Sequence, residues 1–306
     1  SDVYKRQVPD AIGNQTSSTT GAGNETLKLL NAALAELFSA SVSSLSALKT
    51  LASTANDVML LAKGQSAAQS DSDFIAGLNA LLGGAQVSSV NVAAVKTAIQ
   101  ATADDGTGVD SIAALKTVVD AQVLKSYAAN GDGTSATAPA LQTYMDAGVF
   151  APDSLSTDTN TNKIPLNDPA ALLAINGISA STWQAALASA LVKRNDSLSS
   201  LSSTSDIVAS IQSTVNGYYH ILGAADGDAK AAPVTPTSDD YTRIGVTLSS
   251  NTNALALVND YVGSTSLKAA AVDTVGELNA VAQAAYNIVR LAAPTTTQVA
   301  SLDYST

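Results

Sequence analysis

The chain of 306 residues contains no cysteine, so disulfides, thiolate nucleophiles, zinc–thiolate sites and iron–sulfur clusters are excluded from it. A single histidine, His220, excludes any multi-histidine metal site. Charged residues make up only 13%, against roughly 25% in an average globular protein. Aromatics make up 4%, with one tryptophan and three phenylalanines, so any core is built from small and medium side chains. Fifteen Lys and Arg face 26 Asp and Glu, for a net charge of −11, which speaks against tracking a phosphate backbone. Every long apolar stretch is broken by polar residues well short of a bilayer span. Signatures for phosphate loops, dinucleotide turns, nucleophile elbows and His-Glu-x-x-His zinc helices are all missing.

What is present is apolar mass, 46% of the chain, which excludes disorder throughout. It is organised by repetition, the first property to seek in a chain of this composition. Val109-Asp110-Ser111-Ile112-Ala113-Ala114-Leu115-Lys116 returns as Val272-Asp273-Thr274-Val275-Gly276-Glu277-Leu278-Asn279. Ala47-Leu48-Lys49-Thr50 matches Ala114-Leu115-Lys116-Thr117, and a looser copy starts at Ser205. A second element places an aromatic or Leu shortly before a Gly: Tyr144 with Gly148, Leu173 with Gly177, Tyr241 with Gly245, and a shorter version, Phe74 with Gly77. Asp303-Tyr304 opens a further copy. Pro/Thr-rich stretches at 134–139, 231–237 and 292–297 stop helices and stiffen connectors.

Within these blocks the apolar spacing is helical: Ile112, Leu115, Val118, Val119, Val123 and Tyr127; Val208, Ile211, Val215, Tyr218 and Leu222; Val275, Leu278, Val281, Ala285, Ile288 and Val289. Caps are expected at Asn24, Asn91, Asn251, Asp110 or Ser111, and Asp206, with capping boxes at Ser181/Gln184 and Thr274/Glu277. A short helix carries the Tyr or Phe and ends near its Gly, where left-handed geometry suits glycine. The expected fold is all-α: a tandem array of small three-helix-bundle units, 8–66, 67–138, 139–232 with an insert near 150–167, and 233–294, followed by the start of another at 295–306. Residues 1–7 read as something else. DVYKRQ resembles the translation of a transposase sequencing adapter, so the expectation is a reading frame taken from a fragmentary metagenomic read, open at both ends.

Candidate chemistry is thin. Asn130 and Asp132 in Asn-Gly-Asp-Gly, and Asp226 and Asp228 in Asp-Gly-Asp, are weak Ca²⁺ candidates. Calcium wants six to eight oxygens, and neither loop has the spacing or closing Glu of an EF-hand. The favoured reading is a helix C-cap and turn, which Lys63-Gly64, Asn130-Gly131 and Asp226-Gly227 share. His220 reads as a surface or satisfied residue. Asp104-Asp105 and Asp239-Asp240 read as solvated caps. Trp183 reads as an amphipathic core or rim residue, with sugar stacking as the lesser alternative. No catalytic or cofactor-binding residue is expected.

The sequence Tyr241-Thr242-Arg243-Ile244-Gly245-Val246-Thr247, then Asn253-Ala254-Leu255-Ala256-Leu257-Val258-Asn259, then Val272-Asp273-Thr274-Val275-Gly276-Glu277-Leu278, resembles the Ala-rich helical tandem repeats of large bacterial surface and secreted adhesin-like proteins. The resemblance covers most of 67–306. It implies an extracellular or cell-surface array acting as a spacer or adhesive segment. Its partners would be neighbouring repeats of the same chain, or host and cell-surface macromolecules, with no nucleic acid and no membrane span. The alternative function is a host-protein-binding three-helix module of the albumin- or immunoglobulin-binding type. That module would repeat one exposed apolar patch in every unit.

Overall fold

The computed structural model describes residues 22–37, 42, 44–84, 87–102, 106–130, 137–152, 163–175, 178–225, 235–264, 267 and 269–292. Those residues are all-α. They form thirteen helices and two short 3-10 turns, at Thr107–Val109 and Ala269–Ala271, and their sole strand-like feature is one isolated bridge, Ala151 to Ile164. Residues 1–7, the bulk of the insert (153–162) and residues 295–306 lie outside the described set.

In order, the helices are α1 (Ala22–Glu36), α2 (Leu45–Ala62), α3 (Asp71–Leu81), α4 (Val92–Gln100), α5 (Ile112–Asn130), α6 (Leu141–Asp146), α7 (Pro169–Ala174), α8 (Ala180–Lys193), α9 (Asn195–Ser199), α10 (Thr204–Ala224), α11 (Ser238–Arg243), α12 (Thr252–Val262) and α13 (Val275–Ala292). The chain divides into two compact units, one holding residues up to Ser126 with 146–148 and 201–207, the other holding the rest.

In the first unit the core runs without interruption through α1 to α5. Leu29 and Ala33, Leu51, Ala55 and Val58, Phe74 and Leu78, Val95 and Ile99, and Leu115 and Val119 are buried together. Helices on both sides of residue 66 therefore share one core. Close packing depends on a small residue: a Cβ on Gly77 of α3 would collide with the hydroxyl of Thr54 on α2. In the second unit Trp183 is completely buried and meets Tyr218 and Tyr219 edge to face, with centroids 5.8 and 5.4 Å apart. Val215, Leu222, Tyr241, Val258, Val275 and Leu278 of this unit are buried as well.

Capping chemistry decides where most helices start. Four of the longer ones begin with a hydroxyl that accepts from the N–H three residues on: Ser44 from Ala47, Ser111 from Ala114, Ser203 from Asp206 and Thr274 from Glu277. At Thr274 the box is reciprocal, because Glu277 accepts from the Thr274 N–H at 3.1 Å. Asn251 accepts from Asn253 as expected.

Several sequence expectations are corrected. Helix α1 begins at Ala22, so Asn24 lies inside it and does not cap it. Asn91 precedes α4 but turns back to accept from the Ser88 N–H. Ser179, two residues ahead of Ser181, caps α8, and Gln184 instead donates to the Ala138 carbonyl. Ser203 caps α10, and Asp206 stands inside its first turn. Helix α3 continues through Gly77 and stops before Gly83, whose φ is +76°, because Gly77 serves packing rather than termination. Helix α7 carries Leu173 of the expected short element and ends at Ala174, ahead of Gly177, while α9 falls between the expected elements.

Candidate functional site

The densest polar constellation among the described residues is the joint between α10 and α11. It starts from two local signals. Thr237 caps α11 in a full box: its hydroxyl accepts from the Asp240 N–H, and the Asp240 carboxylate accepts from the Thr237 N–H and hydroxyl, each at 2.8 Å. At the other end Gly245 takes φ +87°, and the Val246 N–H closes back on the Tyr241 carbonyl at 2.9 Å. A six-residue helix is thereby fixed at both ends, which its few internal hydrogen bonds would not achieve.

Across from it, α10 is cut to receive it. A Cβ on Gly217 would stand 2.7 Å from the Asp240 carbonyl oxygen and 3.1 Å from the Arg243 Cβ, so backbone meets backbone there. Thr214 donates to the Arg243 carbonyl at 3.1 Å, and Arg194 donates to the same carbonyl at 2.9 Å while also holding Ser210 and Thr214. One turn further on, His220 Nδ1 lies 2.8 Å from Asp240 Oδ1, and Arg243 donates to the same oxygen at 3.2 Å. An ionised carboxylate only accepts, so Nδ1 carries the proton. The Tyr241 ring is buried, and its hydroxyl donates to Asn259 of α12, whose amide donates in turn to the Pro236 carbonyl.

Burial alone pushes the Asp240 carboxyl up. The hydrogen bonds from His220 and Thr237, with the attraction of the imidazole, outweigh it and hold the group below the ordinary carboxylate range. Burial likewise raises the hydroxyls of Tyr144, Tyr218, Tyr219 and Tyr241, which stay protonated near neutrality. The His–Asp pair has the geometry of a base and its orienting carboxylate. Yet Nε2 of His220 is buried, and among the described residues no group is placed against it to be activated. What the arrangement does is lock a helix in place.

The same joint recurs in part. Tyr144 of α6 is buried, Gly148 takes φ +96°, and the Val149 N–H closes on the Tyr144 carbonyl at 2.9 Å. Thr117 donates to the Asp146 carbonyl at 3.2 Å, as Thr214 does to Arg243; Asp146 and Arg243 both stand two residues beyond their tyrosine. Lys116 pairs with the Asp146 carboxylate at 3.6 Å. After each Gly an amide side chain pins the loop: Gln212 bonds both the N–H and carbonyl of Phe150, and Asn279 accepts from the Thr247 N–H at 3.0 Å. Fully buried Asp120 lies one helical turn from Lys116. Burial and the charge of Asp146 raise its carboxyl to about 8.

For the metal candidates, Asn130 is the exposed last residue of α5, and Asp132, Asp226 and Asp228 lie outside the described residues. Among the described residues no group of three or more His, Asp or Glu side chains is placed to hold a metal. Gly64, with φ +70°, terminates α2 as a C-cap glycine; Gly131 and Gly227 lie outside the described set. One reading changes. Asp239 is exposed as expected, but Asp240 is buried and ion-paired rather than solvated, because α11 turns its inner face to α10. Trp183 is core, out of reach of a stacking sugar. Asp104 and Asp105 lie outside the described residues. Sequence reasoning also passed over Arg194, whose signal was a lone Arg at the end of an amphipathic helix. An open cleft of about 320 Å³ beside Thr247, Ser249, Ser250 and Tyr286 follows the α11 joint. Among the described residues no helix is long and apolar enough to cross a membrane.

No family model, curated protein or solved structure matches this chain.

Proposed function

We propose that the chain is a non-enzymatic spacer or adhesive segment of a large bacterial cell-surface or secreted repeat protein, built as a tandem series of helical units. The observation that carries the reading is the recurrent joint: Tyr144 with Gly148 and Tyr241 with Gly245 repeat the same buried ring, the same glycine closure and the same threonine-to-carbonyl bond. Polar side chains that an enzyme would aim into a cleft are spent here on holding helices together. In quasi-one-dimensional arrays stability is a sum of units and nearest-neighbour interfaces, and such joints are the interfaces. The partners of this segment are then its neighbouring repeats, and host or cell-surface macromolecules if it adheres.

An antibody raised against the folded chain should label intact, unpermeabilised cells of the bacterium that encodes it, or recover the protein from the medium. Signal that appears only after permeabilisation overturns the surface reading. The host-protein-binding module makes a different prediction, saturable capture by immobilised albumin or immunoglobulin. Against it, the exposed residues Leu173, Tyr261, Ile288 and Leu291 occupy unlike positions on three helices.

A further inference from the structure

Counting from their capping hydroxyls, α2, α5, α10 and α13 can be laid in one register. Two positions then stand out, held by Val58 and Leu61 on α2, by Lys125 and Ala128 on α5, and by Gly217 and His220 on α10. Val58 and Leu61 are buried. Gly217 and His220 are the residues on which α11 is seated, through the Asp240 carbonyl and carboxylate. On α13 the same two positions are Ile288 and Leu291, and there they are 55% and 54% exposed. A helix presents two adjacent large aliphatic side chains to water at the positions where α10 carries its docking partner.

We propose that this face of α13 is a docking site for the segment Ser301–Thr306 of the same chain, which lies outside the described residues. Two observations select that occupant. Asp303-Tyr304 repeats Asp240-Tyr241, the two residues that carry the α11 joint. The stretch from Leu291 to Tyr304 is as long as that from Leu61 to Phe74, and Phe74 is completely buried in the unit that holds Leu61. Apolar Ile288 and Leu291 in place of Gly217 and His220 make this joint a hydrophobic one, closed by the tyrosine ring rather than by a His–Asp pair. The proposal rests on the repeat reading given above and extends it to a specific interface.

The absence of cysteine makes the test direct. A thiol introduced by Ile288→Cys in the full chain is labelled with a maleimide, and its rate compared with that of a Leu173→Cys thiol, a position 70% exposed. The expected result is labelling at 288 at least tenfold slower than at 173, a difference that disappears when Tyr304→Asp is added and is independent of protein concentration. Equal rates at 288 and 173 overturn the proposal. So does protection that survives Tyr304→Asp, or protection lost on dilution, which would assign the face to a second copy. Unchanged helical circular dichroism in every variant shows that the comparison is made on folded protein. The repeat reading is judged separately by stepwise mechanical unfolding, so an open thiol on a stepwise chain sinks only the docking.

Discussion

Replacing Gly217 by Ala sets two effects of opposite sign against each other. In a helix interior Ala is favoured over Gly by about 1 kcal/mol, so propensity alone predicts a more stable chain. The new Cβ, however, would stand 2.7 Å from the Asp240 carbonyl oxygen, and that neighbour is backbone held inside α11. Relief to ordinary contact needs a shift of about 0.7 Å between the two helices. The bonds from Arg194 and Thr214 to the Arg243 carbonyl, at 2.9 and 3.1 Å, have little such slack. Overpacking costs about 1–3 kcal/mol, and each bond lost adds roughly 1 kcal/mol. The net expectation is destabilisation by about 1–3 kcal/mol, or a Tm lower by several degrees. Trp183, the sole tryptophan and part of the same unit, reports the transition by fluorescence during urea or thermal unfolding. Gly276→Ala is the control. Its Cβ would meet nothing nearer than 3.9 Å, so that variant should gain up to about 1 kcal/mol. If Gly217→Ala is stabilised like the control, the close helix contact at the joint is wrong.

Three further outcomes follow from the electrostatics and the loops. Because the Asp240 carboxyl is held below its ordinary value, its contribution is intact above the unfolded value near 3.8 and is lost as pH falls through the lower folded value. Asp240→Asn should therefore cost about 1–3 kcal/mol at pH 6 and progressively less as the pH falls below about 3.8, read from urea midpoints by Trp183 fluorescence. Asp120 has the opposite sign: raised to about 8, it binds its proton more tightly folded than unfolded, so it lowers stability progressively between about pH 4 and 8. Asp120→Asn should add a few kcal/mol at pH 8 and little at pH 4, a difference that thermal melts followed by far-UV circular dichroism will show. If the Asn130–Thr134 and Asp226–Asp228 loops only cap helices, chelator and millimolar Ca²⁺ give the same Tm. A shift of several degrees, lost in Asp132→Ala or Asp228→Ala, would make them calcium sites.

Helical character was legible because the apolar period at Ile112, Leu115 and Val119 or at Val275, Leu278 and Ala285 is a property of each segment alone. Thr274 with Glu277, and Ser111, were readable as caps for the same reason. Where two oxygens compete for one helix start the sequence does not say which wins, so Ser179 displaced Ser181 and Asn24 fell inside α1. The joint was largely hidden. His220 and Asp240 are joined by tertiary packing across a connector, and a lone His beside two tyrosines carries no sign of its partner. Gly77 looked like the terminator its relatives Gly148 and Gly245 are. Only the presence of Thr54 opposite it reveals a packing role. Ile288 fits the helical stripe, yet more than half of it is exposed, since periodicity marks a face without naming what covers it.

A series of docked helical units is tested most directly by pulling single molecules of the chain from its two ends. A unit of roughly sixty residues such as 233–294 releases about 20 nm of contour length at about 3.4 Å per residue, and the shared core of α1–α5, which spans residues up to Ser126, about 35 nm in one event. Two or more discrete unfolding events are expected, with α11–α13 released as a step of about 20 nm that shifts to lower force in Gly217→Ala. A single event releasing the whole chain, about 100 nm at once, would contradict it.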